Sequence, residues 1–193
     1  MALKLKIGPA LEPVDLTTVK DHLRVDSDDD NGLITSLITV ARRYAEKYQN
    51  YAYITQTWEL WLDGWPDANY LKIPLPPLQS ITAIKYYDTA NKEAPFEDSK
   101  YFVDTKNEPG RIVLAYGKTW PTATLRPANG IYIEFKAGYG DAANNVPEEI
   151  KQAIKMIVGD MYEHRENTII GDQGYEPPFA AKVLLGLDRV IPT

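Results

Sequence analysis

The stretch from Val146 to Arg165, VPEEIKQAIKMIVGDMYEHR, constrains this chain more than any other, because its pattern demands a long helix with one face to bury. Ile150, Ala153, Ile154, Ile157, Val158, Met161 and Tyr162 recur at alternating steps of three and one, the stripe of an amphipathic α-helix. Pro147 suits the first helical position, where its missing N–H costs nothing, and Glu148 and Glu149 favour the positive end of the helix dipole. The stripe needs a partner of equal length. The comparable helix lies far upstream, from Asp30 to Tyr48, with Leu33, Ile34, Leu37, Ile38, Ala41, Tyr44, Ala45 and Tyr48 as its apolar side. Arg42, Arg43 and Lys47 complement its C-terminal end. A shorter helix, capped by Asp15, precedes it with Leu16, Val19, Leu23 and Val25 on its apolar side. The two ends of the chain are therefore expected to fold together.

Between them the period changes from helical to twofold. In ITQTWELWLD, Ile54, Trp58, Leu60 and Leu62 share one face, and Thr55, Thr57, Glu59, Trp61 and Asp63 the other, so Trp61 is an aromatic on a polar face. Further strands are predicted at 70–73, 81–87, 101–104, 112–116 and 131–136, separated by turn signals such as Pro109-Gly110 and Asn129-Gly130, which implies an antiparallel sheet. PLPPLQS, from Pro74 to Ser80, is expected to be an extended connection because its prolines lack donors. The predicted fold is thus α+β: a discontinuous helical domain from residues 1–52 and 145–193, with an antiparallel β domain inserted at 53–144.

Beyond the long helix, NTIIGDQGYEPP reads as a loop exposing Ile169 and Ile170. A last short helix, from Phe179 to Val190, offers Val183, Leu184 and Leu187 on one side and is marginal unless it docks. Phe179, Leu184 and Leu187, with Ile169 and Ile170, are accordingly the candidates for contact with an external surface, together with Trp61 on the sheet.

Chemistry is sparse. Zero cysteines exclude disulfides and thiolate metal sites, and no apolar run approaches the roughly 20 residues of a membrane span. The N-terminal MALKLKIGPALEP lacks the apolar centre of a secretory signal, so a cytoplasmic protein is expected. A net charge of -6 argues against a general nucleic-acid binder. Asp26, Asp28 and Asp30 have the opening spacing of a calcium loop, but the place of the bidentate glutamate is taken by Leu37, so the acids read as a helix N-terminus and no metal is expected. Gly138-Tyr139-Gly140 with Ala143 matches a dinucleotide fingerprint only formally, since no parallel strand follows, and reads as a turn. His22 and His164 show no metal spacing, and Ser27, Ser36, Ser80 and Ser99 no nucleophile elbow. No catalytic residue and no cofactor is expected.

The order of segments is itself informative. PVDLTTVKDHLRVD, LITSLITVARRYAEKYQ, ITQTWELWLDGWP, IPLPPLQSITAIKYYD, the PGRI turn, IEFKAGYG and VPEEIKQAIKMIVGDMYEHRE together resemble the head-to-tail connector (adaptor) proteins of tailed phages and prophages, over nearly the whole chain. The resemblance implies a structural, non-catalytic protein at the virion head–tail junction, assembled in the host cytoplasm. It implies a homo-oligomeric ring under the portal protein, joined to tail or head-completion proteins. DNA would pass through the channel without sequence-specific binding, and an acidic ring weakens the phosphate attraction that would make it stick. The inserted β region departs from the family's more compact, helical members. The competing reading is a ligand- or carbohydrate-binding β module on a helical base, to which exposed aromatic rings would contribute stacking surfaces.

Overall fold

The computed structural model of the protein describes residues 1–164, 176–187 and 189–190. In chain order the elements are β1 (Ala2–Ile7), α1 (Leu16–Leu23), α2 (Asn31–Gln49), β2 (Gln56–Leu62), β3 (Tyr70–Lys72), β4 (Leu78–Tyr87), β5 (Glu93–Pro95), β6 (Tyr101–Asp104), β7 (Arg111–Leu114), β8 (Ile131–Ala137), α3 (Glu148–Glu163) and α4 (Phe179–Gly186). The fold class is α+β, with helices and antiparallel sheets in two compact units. One unit holds residues 1–10 and 55–139, the other 11–54 and 140–193.

The helical unit is built on the two long stripes. Ile34, Ile38, Ala41 and Ala45 of α2 and Ile150, Ala153, Ile154, Ile157 and Val158 of α3 are buried, and the two helices pack on each other. Burying such side chains stabilises by about 1.5–3 kcal/mol for each large one. Helix α1 contributes Val19, and the backbone N–H of Thr18 donates to the Asp15 carboxylate at 2.7 Å, the expected N-cap. At the far end of the interhelical contact, Tyr162 donates its hydroxyl to Asp30 at 2.6 Å. Pro147 stands one position earlier than expected, as the N-cap of α3.

Two polar residues join this core. Arg42, expected only to complement the helix C-terminus, is buried: its guanidinium donates to Glu12 at 2.6 Å and to Glu46 at 2.7 Å. Burial alone would lower its pKa, but the Glu12 hydrogen bond and the charges of both carboxylates outweigh that and raise it. Gln49, also buried, accepts a hydrogen bond from the Tyr53 hydroxyl at 2.5 Å and donates its amide to the Leu185 carbonyl at 2.9 Å.

The β unit has a five-stranded sheet in the order β1-β2-β8-β4-β5 and a three-stranded sheet in the order β3-β7-β6. All pairings within them are antiparallel, but β8 intervenes between β2 and β4, so the sheet is not a simple meander. Leu60, Ile84, Ile131, Ile133 and Phe135 line the buried face of the larger sheet, and Ile112 is the buried residue of the smaller. Gly110 passes so close to Leu78 that a β-carbon there would fall 2.5 Å from it, which requires glycine at that crossing. Two sequence expectations are corrected. The first ten residues, assigned to the helices, form the edge of the sheet, because Leu3, Leu5 and Ile7 alternate with Lys4 and Lys6 at the twofold period of a strand. The connection 74–80 ends inside strand β4, because beyond Pro77 the backbone donors are restored and Leu78 and Ser80 pair with β8.

Candidate protein interfaces

Most of the exposed large apolar residues in the described chain lie on three features, strand β1, the three-stranded sheet with its neighbour Tyr116, and helix α4, while Leu11 and, on α2, Leu33 and Val40 stand apart from them. A fourth feature is aromatic and polar, the outward face of the five-stranded sheet around Trp61.

On that face the strands present Glu59 and Trp61 from β2, Tyr132 and Glu134 from β8, and Lys85 and Tyr87 from β4, with Trp61 opposite Tyr132 and Tyr132 opposite Lys85. Trp61 is half-buried: its ring lies 4.7 Å from that of Tyr132 and 6.2 Å from that of Tyr87. The Arg126 guanidinium lies 4.2 Å from the Tyr87 centroid and donates to the Asn129 carbonyl at 2.6 Å. Lys6 and the Tyr132 hydroxyl both donate to Glu134, at 2.5 and 2.7 Å. Those bonds hold the Glu134 carboxyl below its ordinary pKa, the lysine bond contributing most, and they raise that of Lys6. Burial first, and then the bond to Glu134, pushes the Tyr132 phenol up to about 12. Lys85 bonds Glu93 at 2.8 Å, and Tyr87 donates to the same carboxylate at 2.9 Å. Charges satisfied in this way around fixed Trp, Tyr and Arg side chains give a rigid surface with the composition of interface hot spots.

Helix α4 presents opposite faces to protein and solvent. Ala181 and Leu185 are buried against the helical unit, and Asn50 donates its side-chain amide to the Val190 carbonyl at 2.8 Å. On the other side Phe179, Val183 and Leu187 are 81%, 48% and 66% exposed. At 3.6 residues per turn these three, four residues apart, make one ridge. Of the Val183, Leu184 and Leu187 side expected from the sequence, Val183 and Leu187 lie on this ridge, and Leu184 is half-buried between the two faces. The octapeptide is apolar nearly all round, so its periodicity alone could not choose a face. Ile169 and Ile170 lie outside the described residues. Trp61 and the α4 residues fall in different units.

The motifs set aside in the sequence have ordinary roles. Asp28 receives Lys20 at 2.7 Å and the Asn31 amide at 3.0 Å, and Asp30 receives Tyr162. Gly138 and Gly140 adopt positive φ where the chain leaves β8, as a turn requires. Among the described residues no group of three His, Asp or Glu side chains converges on a metal position. An open cleft of about 430 Å³ in the β unit is lined by Tyr86, Phe96, Lys100, Lys118 and Trp120. Trp120 stacks on Trp65 at 4.9 Å and donates its indole N–H to the Ala68 carbonyl, which fixes it as a flat wall. No helix of the described residues is long and apolar enough to cross a membrane.

Compared with known proteins, residues 13–108 match the profile of the Phage gp6-like head-tail connector protein family. No curated protein matches the chain. Among solved structures, the chain is similar to one in the neck of an empty gene transfer agent particle computed with C6 symmetry, with a TM-score of 0.82 and 22% identity, covering 100% of this chain and 97% of that one. A chain of a native gene transfer agent virion matches with a TM-score of 0.79 and 21% identity, over the same 100% and 97%. A chain in the native particle's neck, computed with C12 symmetry, matches at 0.74 and 22%, again over 100% and 97%.

Proposed function

The chain belongs to the Phage gp6-like head-tail connector family, and we propose that this connector assembles as a closed ring of identical copies at the virion head–tail junction, beneath the portal protein. The observation that carries the reading is the family match over residues 13–108. Likeness of fold to neck chains in particles analysed with C6 and C12 symmetry supports a ring as the form of assembly. The helical unit, from residues 11–54 and 140–193, is the platform of the connector, and residues 55–139 are an insertion that takes the first strand as its edge. The role is structural and needs no catalytic set or cofactor. Tail or head-completion proteins are the partners on the remaining side, and a net charge of -6 lets DNA pass without being held.

In this reading Trp61 and the α4 ridge of Phe179, Val183 and Leu187 are contact surfaces beyond the chain, with Leu184 beside the ridge and, from the sequence alone, Ile169 and Ile170 as further candidates. The experiment is particle mass and electron imaging of the full chain, alone and with purified portal. Ring-shaped multimers are expected; a chain that stays monomeric in both conditions overturns the reading. The cleft beside Trp120 is the observation that favours the carbohydrate-binding alternative. A monomer whose glycan binding is abolished by Trp120→Ala would establish that alternative instead.

A further inference from the structure

We propose that adjacent copies in the ring are joined edge to edge, strand β1 of one copy adding to strand β6 of the next; this assignment of the subunit contact rests on the ring reading above. Strand β1 closes the five-stranded sheet on one side, with β2 its only strand partner among the described residues, so its outer backbone edge is open. The strand is exposed along its whole length. Its lysines, the usual guard of an edge, lie on one face, and Lys6 is already engaged by Glu134. The opposite face carries Leu3 and Leu5, 36% and 44% exposed, and a register shift after Leu5 sets Ile7, 61% exposed, opposite Thr57 on the lysine face. An open edge bearing an uncovered apolar row is a template for strand addition.

A ring is built from heterologous contacts, in which each copy presents one surface and receives a different one. The chain's other strand edges are unequal as receivers. Strand β5 has only three residues, and Pro95 lacks a donor. Strand β3 is equally short, and its edge carries Lys72, which would meet the lysines of β1. Strand β6 is longer, lies at the edge of its sheet, and exposes Phe102 and Val103. The charges around it are mixed: Glu97, Asp98 and Glu108 alternate with Lys100 and Lys106, and Asp104 is paired with Arg111 at 2.9 Å, so no net positive row opposes the lysines of β1. On its outer face Phe102 and Tyr70 flank Val113 in one cross-strand row, so an apolar band continues inward from the edge. An open strand bearing exposed leucines and an open edge with an apolar row are complementary, and both are present once in every copy. That is the requirement for closure without a second kind of subunit.

The chain's lack of cysteine makes the test direct. Leu3, Leu5 or Ile7 is changed to Cys in turn, each combined with Phe102→Cys in the full chain, and treated with a short bis-maleimide. At least one pair should give a ladder of covalent multimers, while each single variant stops at or below dimer. Leu5→Asp, at an exposed position, should leave the thermal transition in place and lower the assembled fraction about tenfold or more. Multimers seen by mass with no ladder from any pair overturn the strand contact and leave the ring reading standing. A cross-link within one chain, or quantitative dimers from Leu5→Cys alone, also overturns it. A chain that remains monomeric at millimolar concentration and with portal overturns the ring reading and this contact with it.

Discussion

Arg42 enters the helical core with its charge intact, and the cost of that burial is met by two carboxylates that reach it from different places in the chain, Glu12 and Glu46. Glu12 also accepts from Thr39 at 2.9 Å, and Glu46 from the Tyr53 backbone at 3.1 Å, so the arginine ties the segment before α1 and the one after α2 to α2 itself. Removing one member of a buried pair leaves the others uncompensated. Arg42→Ala should therefore cost about 3–5 kcal/mol, read as a lower urea midpoint. On the sheet, the Lys6, Tyr132 and Glu134 cluster makes stability depend on pH in two windows. The lowered Glu134 carboxyl stabilises above its ordinary pKa of 4.5, and that contribution is lost as pH falls below it. The raised Tyr132 phenol stabilises below its ordinary 10.0, and the contribution is lost as pH climbs from there towards about 12. Across that alkaline window the urea midpoint of wild type should fall more steeply than that of Tyr132→Phe. Parallel slopes would show that the phenol is not held neutral by the fold. Calcium should give no saturable heat in a micromolar titration, because Asp28 and Asp30 already serve Lys20, Asn31 and Tyr162.

Helix α3 is the element on which the helical unit depends, and Ile154, wholly buried at its middle, is the residue to test. Ile154→Asp places an unpaired charge among α3's neighbours and should cost about 4 kcal/mol or more, so a thermal transition near the wild-type value would contradict the packing. This helix was legible in the sequence because its stripe is long and interrupted by charges. Helix α2 was legible as a helix, yet its polar core residues were not: what buries Arg42 is Glu12, thirty positions away, and tertiary partners leave no local periodicity. Strand β1 shows the opposite failure. Its alternation of leucine and lysine is plain, but six residues ending before Gly8 and Pro9 give no hint that they pair with β2, more than fifty residues later. The placement of β8 between β2 and β4 was equally hidden, since each strand shows its faces and never its neighbours. Of the candidate interface, Trp61 was legible as a candidate because an aromatic interrupted a polar face. On α4 the sequence grouped Val183 and Leu187 with Leu184, which is half-buried, because FAAKVLLG offers apolar residues in nearly every direction.

For the whole molecule, the two faces of α4 separate folding from assembly, which lets the contact be tested without unfolding its carrier. Deleting the helix would conflate the two, since Leu185 and Ala181 are fully buried and the Leu185 carbonyl accepts from Gln49. The ridge can be altered on its own. Phe179 and Val183 point away from that core, and substitutions at exposed helix positions usually shift stability by no more than about 0.5 kcal/mol. The double change Phe179→Asp with Val183→Asp should therefore leave the unfolding midpoint close to wild type. It should nonetheless weaken assembly strongly, because an apolar anchor replaced by a carboxylate must be desolvated at the contact without a partner. Loss of the ring in solution would assign the ridge to a neighbouring copy. A normal ring that fails to bind purified portal would assign it to the portal. If the variant unfolds with the wild-type midpoint and both assemblies form at wild-type concentration, the ridge is an ordinary solvated surface, and the connector makes its outside contacts through the sheet.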